Sequence, residues 1–153
     1  GKRDSETVKK SRRFDFAGAR VLLAEDNMMN MEIAKRILES AGLNVDAAWN
    51  GQEAVDAFLA SPEGTYKAVL MDVHMPQMGG HEATRAIRGS DHPEAKTIPI
   101  IAMTADAFAE NVTEAHDAGM NGHIAKPIDI PTLFLVLSKY IPSATLRSSG
   151  TKD

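Results

Sequence analysis

Five short apolar runs, each broken off by polar residues and followed by a stretch of helical periodicity, occupy residues 21–140 of this chain. The runs are Val21–Ala24, Val45–Trp49, Ala68–Met71, Ile98–Met103 and His123–Ala125. They are nearly continuous in hydrophobicity rather than alternating, the pattern of strands covered by helices on both faces. Between the first two, Ile33, Ala34, Ile37, Leu38 and Ala41 recur at helical spacing until Gly42 stops the helix. Asn50, with Glu53 three residues later, resembles a capping box that opens a helix with Ala54, Val55, Phe58 and Leu59 on one face. A weaker helix spans Gly80–Arg88, and another turns Phe108, Val112 and Ala115 inward and ends at Gly119. Pro131 suits the first turn of a last helix carrying Leu133, Phe134, Leu137 and Tyr140. Five strand-helix units predict an α/β fold built on an open, doubly wound parallel sheet. The working site of such a fold lies at the carboxyl ends of the strands, beside the point where strand order reverses.

Length and charge set the limits of function. The chain has 153 residues, about one domain, and its 43% hydrophobic content suffices for one core. Residues 1–18 read as a linker or disordered tail, 19–141 as the folded domain, and 142–153 (PSATLRSSGTKD) as a disordered tail. The stretch 21–140 carries seventeen Asp/Glu against eight Lys/Arg, so direct contact with nucleic acid is not expected. The basic amino-terminal run reads as a solvated linker. No apolar run approaches membrane-spanning length and no export leader is recognisable, so a cytoplasmic domain without membrane contact of its own is expected. The absence of cysteine excludes disulfides, thiolate metal sites and thiol nucleophiles.

The residues that follow the strands gather three carboxylates, a hydroxyl and an ammonium on one edge of the sheet. These are Glu25 and Asp26 after the first strand, Asp72 after the third, Thr104 after the fourth and Lys126 after the fifth. Taken alone, an acid or threonine after a strand is most often a helix cap or a solvated turn. Asp72 is different, because it interrupts an apolar run, Ala68-Val69-Leu70-Met71-Asp72-Val73, where an unpaired charge would be costly. Three adjacent carboxylates repel one another unless a cation joins them. Ligation by oxygen alone suits a hard ion, Mg²⁺ above all. Lys126 is then the complementary charge for a phosphoryl group, and Thr104 a hydrogen-bond donor to it. The set reads as a site that accepts a phosphoryl group on Asp72.

At this point the chain is similar to the receiver domains of two-component response regulators. The matching pieces are VLLAEDNMMN with Glu25 and Asp26, VLMDVHMPQMGG with Asp72, AMTA with Thr104 and AKP with Lys126. The phrases EDNMMNMEIAKRILESAGL, NGQEAV, HEATRAIR, MTADAF and AGMNGHIAKPID resemble more narrowly the receivers of hybrid sensor histidine kinases. DFAGARVLLAEDN looks like the approach to such a receiver in a longer chain, with a free-standing single-domain regulator as the alternative. The resemblance implies a flavodoxin-like five-stranded sheet of order 2-1-3-4-5 and a cis Lys126-Pro127 bond. It also implies phosphorylation of Asp72 by a histidine kinase or histidine phosphotransfer domain. Mg²⁺ would be held by the Asp26 and Asp72 side chains and the His74 backbone carbonyl, with Glu25 acting through water. Further implied roles are a switch at Thr104 and His123, tuning of phosphoryl lifetime by His74 and Asp106, and a weak homodimer through the 105–140 face. Such a domain promotes its own phosphorylation and dephosphorylation without being a turnover enzyme, and its parent chain can be a membrane-anchored kinase.

Two positions depart from the family pattern. His123 stands where Tyr or Phe is usual, and Gly79 stands where an acidic residue or Asn commonly precedes the second glycine. Readings from other classes fit less well. A phosphatase of the haloacid dehalogenase type needs a second Asp two residues after its nucleophile, and that position is His74. A flavodoxin would place Glu25 and Asp26 against its cofactor's phosphate. A pseudo-receiver would have lost one of the key residues, and none is lost. Met28, Met29 and Met31 read as an irregular patch and partner surface, and Trp49 as a packed strand-end ring.

Overall fold

The computed structural model describes residues 15–105 and 109–142, without the side chains of 109–112. Five strands alternate with five helices: β1 (Arg20–Ala24), α1 (Met28–Ser40), β2 (Asn44–Ala48), α2 (Gly51–Ala60) and β3 (Ala68–Asp72) come first. They are followed by α3 (Gly80–Arg88), β4 (Ile100–Thr104), α4 (Ala109–Ala118), β5 (Gly122–Ala125) and α5 (Ile130–Ser138). The strands form one parallel sheet of order 2-1-3-4-5, the expected flavodoxin-like topology. The order reverses between β1 and β3, whose carboxyl ends carry Glu25 and Asp72.

Alternation along each strand divides the core into two layers. Val21, Leu23, Leu70, Ile101, Met103 and Ile124 face α1 and α5, meeting Ala34, Leu38, Phe134 and Leu137. Leu22, Ala24, Val69, Met71, Ile100 and Ala102 face the opposite way, toward Phe58, Ile87 and Ala115. Each buried Leu or Ile contributes roughly 1.5–3 kcal/mol relative to exposure, so β1 and β3, buried along most of their length, form the rigid support of the site.

Local sequence sets where the helices begin. The Asn27 side chain accepts from Asn30 N (2.9 Å), and the Asn50 side chain from Glu53 N (2.8 Å). Glu53 reaches back to Trp49 N (2.8 Å), one residue earlier than a strict capping box would place it. Asp129 caps α5, with Pro131 in its first turn. Gly42 ends α1's turn with φ +85°, a conformation that favours glycine.

Three expectations shift in the structure. The inward stripe of α1 is Met31, Ala34 and Leu38, which leaves Ile33 51% exposed. Trp49 follows β2 and is exposed rather than packed. Phe16, in the stretch read as linker, is buried against Phe134 with ring centroids 6.2 Å apart. Its amide donates to Ala41 O (2.8 Å), and Gly18 N donates to Gly42 O (2.7 Å), so this segment is sewn onto the α1–β2 turn. Phe108 and Asp106 lie outside the residues whose placement is described.

Candidate functional site

The carboxyl ends of β1, β3, β4 and β5 converge as the sequence predicts. Glu25 continues the line of β1, its amide donating to Ala48 O (3.0 Å), and its side chain turns inward to 2% exposure. Asp72 ends β3 at 3% exposure, and Thr104 ends β4, also buried. Lys126 follows β5, its amide tied to Thr104 O (2.8 Å), and the peptide bond to Pro127 is cis.

One ammonium serves two carboxylates here. Lys126 Nζ lies 2.7 Å from Glu25 Oε2 and 2.8 Å from Asp72 Oδ2. Asp72 Oδ1 accepts from His74 N (3.1 Å), and Glu25 Oε1 accepts a long bond from Asn27 N (3.4 Å). Asp26 is exposed at the rim, with a carboxylate oxygen within 4.8 Å of those of Glu25 and Asp72. Burial pushes the Glu25 carboxyl above its usual range; the Lys126 hydrogen bond opposes this and the neighbouring Asp72 adds to it. Burial alone would lower Lys126, but its bonds to Asp72 and Glu25 outweigh that and hold the ammonium above its ordinary value.

The pocket is short of positive charge, since Glu25, Asp26 and Asp72 face one lysine. Three carboxylates offering oxygen from two strand ends suit a hard divalent cation that keeps part of its water shell. Glu25, Asp26 and Asp72 are the side chains that could hold such an ion.

The loop after Asp72 is shaped by Gly80, the second glycine of the pair and the first residue of α3. A Cβ on Gly80 would stand 2.4 Å from Asp72 O, so only glycine lets α3 start this close to the strand end. Gly80 N donates to Val73 O (2.9 Å), and Val73 N to Met103 O (3.0 Å). Gly79 is the N-cap of α3 and makes no side-chain capping bond, the local consequence of lacking an acid or Asn there. The double glycine next to an apolar-acid strand end was the available signal.

His74 is exposed beside the pocket, and His123 is exposed on β5 opposite Ala102. Met28 and Met29, 73% and 70% exposed, begin α1 directly after the acidic pair, while Met31 is buried. No helix among the described residues is long and apolar enough to cross a membrane.

Comparison with known proteins agrees with this geometry. The model of the response regulator receiver domain matches residues 21–138. Hybrid signal transduction histidine kinase I of Dictyostelium discoideum is 37% identical over 138 residues, covering 86% of this chain and 8% of that protein. The chain spans under a fifth of the length of the curated relatives it matches. Among solved structures, the receiver domain of a sensor histidine kinase of Pseudomonas aeruginosa PAO1 has magnesium ion coordinated in its active site cleft. It is 35% identical with TM-score 0.74, covering 83% of this chain and all of that one. The receiver domain of Ssk1 from Saccharomyces cerevisiae, crystallised with the histidine phosphotransfer protein Ypd1, is 28% identical with TM-score 0.70, covering 82% of this chain and 90% of that one. With its sheet order, its acidic pocket and its sequence all in agreement, the chain belongs to the response regulator receiver domain family, and it is similar to the receiver parts of hybrid histidine kinases.

Proposed function

We propose that Asp72 accepts a phosphoryl group from a phosphohistidine of a histidine kinase or histidine phosphotransfer domain, with Mg²⁺ in the carboxylate pocket. The chain would do so as the cytoplasmic receiver part of a hybrid sensor histidine kinase. The observation that carries this reading is the pair of buried carboxylates, Glu25 and Asp72, sharing the Lys126 ammonium beside the exposed Asp26. A purely structural cluster would be neutralised within itself. This one retains excess negative charge at an open strand end.

In the transfer, an Asp72 carboxylate oxygen forms the new O–P bond as the N–P bond to the donor imidazole breaks, and the imidazole nitrogen keeps the bonding pair. Lys126 Nζ, 2.8 Å from Asp72 Oδ2, is placed against the equatorial oxygens on which charge gathers. Thr104 brings a hydroxyl donor to the same edge of the sheet. Asp26, Asp72 and the His74 backbone carbonyl would hold Mg²⁺, with Glu25 acting through water, and the ion supplies fixed positive charge to the same oxygens. Hydrolysis of the acyl phosphate resets the domain, at a rate we assign to His74 and Asp106, and Thr104 with His123 forms the switch. The exposed apolar side chains of Met28, Met29 and Ile33 next to the acidic pair favour a protein as donor.

Intact-mass measurement after incubation with acetyl phosphate and Mg²⁺ tests the chemistry without the partner. The expected result is a gain of one phosphoryl group, lost with EDTA and lost in Asp72→Asn. Undiminished labelling of Asp72→Asn overturns the assignment.

A further inference from the structure

The loop between β3 and α3, residues 73–79, is closed at its base and held at its tip. At the base, Gly80 N donates to Val73 O (2.9 Å), and the Gly80 Cα lies so close to the strand that a Cβ there would stand 2.4 Å from Asp72 O. The two ends of the loop are therefore pinned to each other. At the tip, Met78 O accepts from Gly51 N (3.0 Å), and Gln77 Oε1 accepts from Asn50 Nδ2 (3.1 Å). Both donors belong to the start of α2.

The residues at that helix start suit the contact. The first amides of a helix have no partner within it, and Gly51, the first residue of α2, directs its amide at a loop carbonyl. A Cβ on Gly51 would stand 2.2 Å from Met78 O and 2.8 Å from Met78 C, so only glycine lets the loop backbone approach this closely. Asn50 uses both ends of its amide: Oδ1 accepts from Glu53 N (2.8 Å), which leaves Nδ2 as the donor to Gln77. Gln77 has φ +68°, a left-handed conformation that a residue with a side chain keeps only where its surroundings hold it. Met78 also packs its side chain against the core layer of Ala54 and Phe58.

This loop carries His74, whose amide donates to Asp72 Oδ1 (3.1 Å) and whose carbonyl is the backbone oxygen proposed to hold Mg²⁺. With the base pinned, a displacement at Met78 is absorbed by residues 74–77. We propose that Asn50 and Gly51 are positioning residues for the metal: their clasp on Gln77 and Met78 fixes where the His74 carbonyl stands, and so sets the affinity of the pocket for Mg²⁺. This rests on the proposed metal role of His74; the clasp itself does not.

Two variants separate the clasp from the helix it springs from. Gly51→Ala introduces a better helix former and forces Met78 away. Asn50→Ser keeps a capping oxygen and loses the reach to Gln77. In metal-free protein, NMR should show the His74 amide shifted and exchanging faster in both. Calorimetric titration should find Mg²⁺ binding about tenfold weaker in Gly51→Ala, the scale on which loss of a group supporting a metal ligand acts, and weakened less in Asn50→Ser. A merely structural role would lower the urea midpoint and leave the Mg²⁺ affinity of the folded protein unchanged. Should Gly51→Ala fail to fold, Asn50→Ser alone decides. A wild type that binds Mg²⁺, with folded variants of equal affinity and an unmoved His74 amide, overturns this proposal alone. A wild type that takes up no Mg²⁺ overturns the metal reading of the pocket, and this proposal with it.

Discussion

The two ends of the sheet treat buried charge in opposite ways. At the carboxyl end, Glu25 and Asp72 compete for one ammonium, and Glu25 is held above its usual range by burial and by its acidic neighbour. At the amino end, Arg88 is satisfied by carbonyl oxygens, and Asp46 is shared by Arg20 Nη1 (2.6 Å) and the Tyr66 hydroxyl (2.7 Å). Burial and the Asp46 carboxylate push the Tyr66 hydroxyl well above its ordinary value, so it stays a hydrogen-bond donor. One end is balanced and structural. The other is left short of cation, which is the condition for taking up a metal ion.

Removing the lysine breaks that comparison most severely. Lys126→Met leaves two buried carboxylates facing one another and should cost about 3–5 kcal/mol at neutral pH, measured by urea unfolding. The pH dependence has a definite sign. Because the folded Glu25 carboxyl is raised, stability associated with it is fully present below the unfolded value of 4.5 and is lost as pH rises through the folded value. The deficit of Lys126→Met should therefore shrink as pH falls from 7 toward 4.5. In the wild type the raised Lys126 contributes fully below 10.5, and that contribution should be lost as pH rises beyond it. A deficit that grows on acidification would contradict the assignment of strain to the carboxylates.

At the balanced end the effect is smaller. Asp46→Ala strands the Tyr66 hydroxyl and frees a partly exposed arginine, for a loss of about 1 kcal/mol and no change in acetyl phosphate labelling. Smallest in stability is Asp26→Ala, an exposed change expected within about 0.5 kcal/mol in the absence of metal. Calorimetric titration should nevertheless find its Mg²⁺ binding strongly weakened, and Glu25→Ala less so. Equal and negligible effects of the two would separate the acidic pocket from metal binding.

Much of this was legible because polar residues punctuate apolar strands at the edge where the site forms. Asp72 inside AVLMDV and Lys126 before Pro127 are local signals, and the structure brings them within hydrogen-bond reach of each other. What sequence conceals is set by distant partners. Arg88 in the last turn of a helix reads as a solvated cation, and only the placement of residues 95, 119 and 121 turns it inward. Phe16 follows Phe14 by two residues in an otherwise largely polar run, too short a pattern to announce that α5 receives it. On α1, Ile33 and Ala34 both fit a helical stripe, and the neighbouring strands select Ala34 with Met31 and Leu38.

Borohydride reduction after phosphorylation tests the central claim most directly, because it converts an aspartyl phosphate to homoserine at the modified position. Treated with acetyl phosphate and Mg²⁺, reduced and mapped by tandem mass spectrometry, the chain should carry homoserine at position 72 and retain unmodified Glu25 and Asp26. Reduction product at Asp26 or Glu25, or none at position 72, would contradict the assignment of the buried, lysine-bonded carboxylate as the phosphoryl acceptor.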